Sequence, residues 1–214
     1  MRRSRLLAAA AAARVMLRAA LLVGLLAGSA AGQTADRLET EFSGATLAAL
    51  QAELRAAESA GLPSRPLVLK ALEGRSKGAS DARIVDAVAG LRLRLERAAA
   101  ALGTRDEDVL LAAAAALYVG VDDSMLQKLT ASTRTDALGM AFVVVGDLVR
   151  RGVPVREASQ AVTSLASAGA RAESLDAFRR QVNADIATGL APSRATEVRM
   201  RGLLMTLDRP GPNP

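Results

Sequence analysis

Residues 84–102 read IVDAVAGLRLRLERAAAAL. Within them Ile84, Val88, Leu91, Leu95, Ala98 and Leu102 recur in steps of 4-3-4-3-4, a spacing that lines up side chains on one face of an α-helix and on no strand. Arg83, Asp86, Arg94 and Arg97 fall off that stripe, so the pattern predicts an amphipathic helix with its charges turned to water. Leu47, Leu50, Leu54 and Ala57 repeat the pattern upstream, and Leu175, Phe178, Val182, Ile186 and Leu190 repeat it downstream. From Gln33 to Leu207 there is no alternating strand pattern of useful length. The fold class is therefore all-α, and the abundance of alanine agrees with it, because alanine loses no side-chain entropy on entering a helix.

Glycine punctuates the stripes. Gly61, Gly78, Gly103, Gly120, Gly152 and Gly189 each follow a helical run, where a left-handed residue commonly closes a helix. Restart signals come next. Thr104-Arg105-Asp106-Glu107 reads as a capping box, Asp122 or Asp123 as an N-cap, and Ser80 as another. Pro63 and Pro66 hold the connection after Gly61 extended. These marks predict helices over 44–60, 65–77, 81–102, 105–119, 123–132, 136–151, 155–168, 172–188 and 193–207. Short connections lead us to expect consecutive helices packed as antiparallel hairpins. Residues 33–207 are read as a single all-α domain forming an irregular multi-helix bundle. A short α-solenoid-like array is the alternative, although no period of about 30–45 residues runs through the chain.

Composition removes much chemistry. The 214 residues include no Cys, no His and no Trp, with one Tyr and three Phe. Thiolate nucleophiles, Cys/His zinc sites and histidine general bases cannot be assembled, so no metal, cofactor or catalytic residue is expected. The net charge of +6 comes from 28 basic and 22 acidic residues. Arg2, Arg3, Arg5, Arg14 and Arg18 all lie in an acid-free leader, and setting them aside leaves 23 against 22, a net of +1. A nucleic-acid partner is not expected, since the remainder lacks the basic footprint that phosphate binding needs. Arginine outnumbers lysine 25 to 3, a bias whose plain source is a GC-rich genome.

Residues 1–32 read as a cleavable signal peptide. A basic start precedes the apolar core AALLVGLLA at 19–27, and Ser29 and Ala31 suit the −3 and −1 positions of a peptidase site. Cleavage near Ala31 or Gly32 would deliver a periplasmic or secreted chain whose only membrane contact is through the leader. The alternative is an uncleaved N-terminal anchor, against which the apolar core falls short of the ~20 residues that a bilayer asks for. Residues 208–214 read as a Pro/Gly-rich tail without structure of its own.

Four places invite a functional reading. Lys70, Glu73, Arg75 and Lys77, with Gly74 and Gly78, could form an anion or acidic-peptide contact. The plainer account is a solvated last turn with Glu73 and Lys77 paired at i,i+4. Ser124 and Lys128 are spaced to touch, yet they lack the companion motifs of serine–lysine enzymes. Asp106, Glu107 and Asp108, with Asp122 and Asp123, are dense in acid, but helix starts explain them. The apolar stretch ALGMAFVVVG at 137–146 predicts a central buried helix, or an apolar pocket lined by Met140, Phe142 and Val145. The expectation is an exported, non-enzymatic binding or scaffolding protein of the bacterial envelope, with another envelope protein as partner. A carrier of an apolar ligand or lipid is the first alternative, and a carboxylate-dependent hydrolase of wall polymers is the second.

Overall fold

The computed structural model describes residues 37–208. The expected leader lies outside them, as does the expected tail beyond residue 208. Every regular element among the described residues is helical. After a helical turn over 37–41 come α1 (Gly44–Ser59), α2 (Arg65–Ser76), α3 (Asp81–Leu102), α4 (Glu107–Tyr118) and α5 (Asp123–Ser132). A 3-10 turn (Thr135–Ala137) then leads into α6 (Leu138–Arg150), α7 (Val155–Ser167), α8 (Ala172–Ala187) and α9 (Pro192–Leu207).

The stripe that announced the fold is where it was expected. Ile84, Val88, Leu95 and Ala98 are buried along α3, with Leu91 and Leu102 half-buried. Arg94 departs from the expectation. It is half-buried, with its guanidinium 4.9 Å from the centre of the Tyr118 ring on α4. Loss of water around it pulls its pKa below the ordinary arginine value.

All six expected glycine stops have positive φ, from +65° to +100°. At Gly152 the reason is explicit. The Gly152 amide bonds the Val149 carbonyl and the Val153 amide reaches back to Leu148, a closure that wants a left-handed residue between them. The capping box at residue 104 is corrected. Asp106 is the N-cap of α4, its Oδ1 accepting from the Val109 amide at 3.0 Å. Thr104 Oγ1 instead accepts from the Asp106 amide at 3.1 Å and shapes the turn before the helix. A carboxylate two residues nearer the helix displaces the hydroxyl because it carries charge as well as an acceptor to the same N-terminus.

The chain divides into two compact units. Unit 1 holds the described residues up to Ala56 together with Ser64–Val88. Its buried side chains include Leu38, Phe42, Leu50, Leu67, Val68, Ala71, Ile84 and Val88. At its centre α2 and α3 approach closely, because a Cβ added at Gly74 would lie 2.8 Å from Ile84 Cγ1. Unit 2 comprises Ala57–Pro63 and the described residues from Ala89 onward. Here the packing follows a rule that connection length alone did not predict. Besides pairings of α5 with α6, α6 with α7 and α8 with α9, each helix from α4 to α7 packs on the next but one. The pairs are α4 with α6, α5 with α7, α6 with α8, and α7 with α9. Two rows result, α4–α6–α8 and α5–α7–α9. Alanine makes the first row tight: Ala112, Ala113, Ala114 and Ala116 are buried on α4, where small side chains let axes approach toward the short end of the usual ~8–10 Å.

Candidate functional site

The Lys70–Lys77 segment is the last stretch of α2 together with its C-cap, Lys77, and its charges are consumed locally. Lys70 Nζ donates to Glu73 Oε2 at 3.0 Å, and Lys77 donates to the other oxygen of the same carboxylate. These bonds, that from Lys77 foremost, hold the Glu73 pKa down from 4.5 to about 2. Arg75 turns elsewhere. It pairs with Asp81 at 3.0 Å and lies 4.3 Å from the centre of the Phe42 ring, while Asp81 also accepts from Thr46 Oγ1 at 2.8 Å. Both lysines thus share one acid, and the arginine ties three segments of unit 1 together. Lys70, Glu73 and Lys77 come together as a helix-end cluster, and Arg75 does not join them.

Met140, Phe142 and Val145 lie on α6, the helix of unit 2 packed against α4, α5, α7 and α8. Phe142 and Val145 are fully buried and Met140 is half-buried. One edge of α6 is polar. Asp147 Oδ2 accepts from Asn183 Nδ2 at 2.6 Å and from Arg179 at 3.5 Å, both on α8. Arg179 also forks onto Asp176 Oδ1 at 2.7 and 3.1 Å, and this bond leads in holding the Asp176 carboxyl below its usual range. Asp185 on α8 receives Arg199 of α9 in a bidentate pair at 2.6 and 2.7 Å. The intrahelical pair Asp176–Arg179 was legible in its spacing. The links between helices were not, because they depend on which helices are neighbours.

The surface of unit 2 is indented along its second row. Between α5 and α7 runs a groove of about 510 Å³ lined by Asp122, Ser124, Met125, Lys128, Arg156, Ser159, Gln160, Thr163 and Ser164. Ser124 does not meet Lys128. Its hydroxyl donates to Asp122 Oδ1 at 2.7 Å, beside the Met125 amide at 2.8 Å. Those two bonds, the amide first, hold the Asp122 pKa low and make it the N-cap of α5. Across the ridge formed by Gln160 and Ser164, a second groove of about 490 Å³ separates α7 from α9. It brings Glu157 and Glu197 to one indentation. Glu157 belongs to the first turn of α7, and Glu197 is bridged by Arg194 and Arg201 on its own helix. Among the described residues no group of three or more acidic side chains is placed to hold a metal ion.

A third groove, of about 540 Å³, lies between α8 and α9. Phe178, Ala177, Val198, Gly202 and Leu203 give it an apolar lining, with Ser174, Gln181, Arg199 and Thr206 beside them. Val198 is 43% exposed, and Met205, two turns further along α9, is 70% exposed. Residues seven apart share a face of a helix, so α9 carries an uncovered apolar strip. Among the described residues no helix is long and apolar enough to cross a membrane. Comparison with protein-family models, with curated proteins and with solved structures finds no significant match to this chain.

Proposed function

We propose that this chain is an exported, non-enzymatic helical binding module of the bacterial envelope, which docks a partner protein on the α8–α9 surface. The observation that carries the reading is the strip of Val198 and Met205 beside the apolar groove floored by Phe178. Exposed apolar surface bordering a groove is what a protein contact uses, and the arginines of α9 around it supply a polar rim. The carrier alternative draws no support from the three grooves, none of which is lined by Met140, Phe142 or Val145. The hydrolase alternative loses ground because Glu157 sits in a helix's first turn and Glu197 is bridged by two arginines. The expected leader at 1–32 supplies the address.

The test is affinity capture from the envelope fraction with the chain and with its Val198→Asp/Met205→Asp variant, after circular dichroism shows both to be equally helical. A defined partner retained by the former and lost with the latter is expected. Recovery of the same partner by both would overturn the assignment of this surface. In the same cells, an N-terminus that still begins at residue 1 in a cytosolic fraction would overturn the export.

A further inference from the structure

The α5–α7 groove is built differently from the α8–α9 surface. Its two cations, Lys128 and Arg156, come from different helices, are both exposed, and line one indentation; among the described residues neither forms a salt bridge, although Lys128 is near enough to the Asp122 carboxylate to help hold its pKa down. The one carboxylate in the lining, Asp122, is committed to its own helix start through the Met125 amide and the Ser124 hydroxyl. The lining therefore carries a net single positive charge and a row of hydroxyls. One of these hydroxyls is anomalous. Ser159 is only 6% exposed, yet its Oγ finds no oxygen or nitrogen partner, only the Met125 thioether at 3.7 Å. A thioether is a weak acceptor, and buried hydroxyls are ordinarily satisfied by better ones. A helical serine can usually bond the carbonyl four residues back, and Thr130 and Thr196 in this chain do so. Ser159 does not.

We propose that the groove between α5 and α7 is an oxyanion-binding site, taking a carboxylate or phosphate group borne by a polar small molecule. Lys128 and Arg156 supply the charge, and the Ser159 hydroxyl supplies a donor that α7 leaves unused. Thr163 and Gln160, further along the same wall, meet the hydroxyls or amides of the rest of the ligand. Charged donors from two helices plus a buried hydroxyl form the kind of set that makes strong, charge-assisted bonds to an oxyanion. A groove of about 510 Å³ matches small-molecule sites, which run from about 300 to 1,000 Å³. The inference is independent of the α8–α9 docking surface, and its failure would leave that surface untouched.

The test is a titration of the isotopically labelled chain with inorganic phosphate and, separately, with acetate. Sodium chloride at matched ionic strength is the control, and amide resonances are read. Saturable shifts at α5 and the first half of α7 with either oxyanion, absent with chloride, are expected, and the stronger of the two identifies the group. Lys128→Ala/Arg156→Ala should weaken binding by at least about tenfold, the scale of one charge-assisted bond. Lys128→Arg should retain it. Ser159→Ala should weaken it by about threefold to tenfold. If the double variant does not fold, Lys128→Met and Ser159→Ala each serve in its place. Shifts that never saturate, that chloride reproduces, or that survive the charge-removing variants would overturn the proposal. Binding of a hexaglutamate peptide in the groove, with neither phosphate nor acetate binding, would overturn it in favour of an acidic protein segment.

Discussion

Replacing Phe142 by alanine asks whether the centre of unit 2 is solid. The ring is fully buried on α6, which packs against four other helices. Truncating a buried Phe costs about 3–5 kcal/mol, part transfer and part cavity, wherever the surroundings cannot collapse into the space. Collapse is restricted here because α4, which packs on α6, buries four alanines (Ala112, Ala113, Ala114 and Ala116), and alanines have no rotamers to swing inward. The upper part of that range is therefore expected. At ~2–4 °C per kcal/mol for a chain of this length, the melting temperature should fall by about 8–20 °C. Val143, its neighbour in sequence, is 41% exposed, and Val143→Ala should stay within ~0.5 kcal/mol. Urea unfolding of both variants, followed by far-ultraviolet circular dichroism, makes the comparison. A cost below ~1.5 kcal/mol for Phe142→Ala, or equal costs for the two, would refute the reasoning. The ring would then line an adaptable cavity, as a carrier of apolar ligands requires.

Three further outcomes follow from local geometry. Asp106→Ala should cost about 1 kcal/mol through the lost cap of α4, and Thr104→Ala clearly less. Equal effects in thermal melts would restore the capping box centred on Thr104. Gly74→Ala should destabilise despite a helix-propensity gain of up to ~1 kcal/mol, because overpacking against Ile84 costs ~1–3 kcal/mol. The loss should shrink in an Ile84→Ala background, and strict additivity of the two would contradict the close approach. Glu73 has a folded pKa of about 2 against an ordinary 4.5. Its depressed value means a contribution present above pH 4.5 that disappears as the pH falls toward 2. Glu73→Gln should flatten the stability profile in that window, and an unchanged slope would show that Lys70 and Lys77 do not hold it.

The helices were legible because they rest on local rules. The stripe from Ile84 to Leu102, the glycine closures and the Asp122 cap each need only a few residues of context. The exchange of Thr104 for Asp106 as N-cap shows the limit of such rules. Two good acceptors stood two residues apart, and the choice turned on charge at the helix end. Arg94 shows another. Its place off the apolar stripe is correct for an isolated helix, but the Tyr118 ring on α4 covers it, and no spacing within α3 announces that. The pairing of each helix from α4 to α7 with the next but one was hidden because short loops constrain where a helix starts, not which ridge it settles into. For the same reason Ser124 and Lys128 were visible as a pair, whereas Arg156 and Ser159 on the opposite wall of their groove were not.

The last helix has an unequal hold on its unit. Only Ala195 and Thr196 of α9 are fully buried, and Arg199–Asp185 is its bidentate link to α8. Its amides should therefore exchange with deuterium well before those of α6, through an opening that leaves the remaining helices closed. A partner gripping both walls of the α8–α9 groove would slow that exchange. The solvent-protection map of α9 would then report occupancy of a surface whose occupant had not yet been identified.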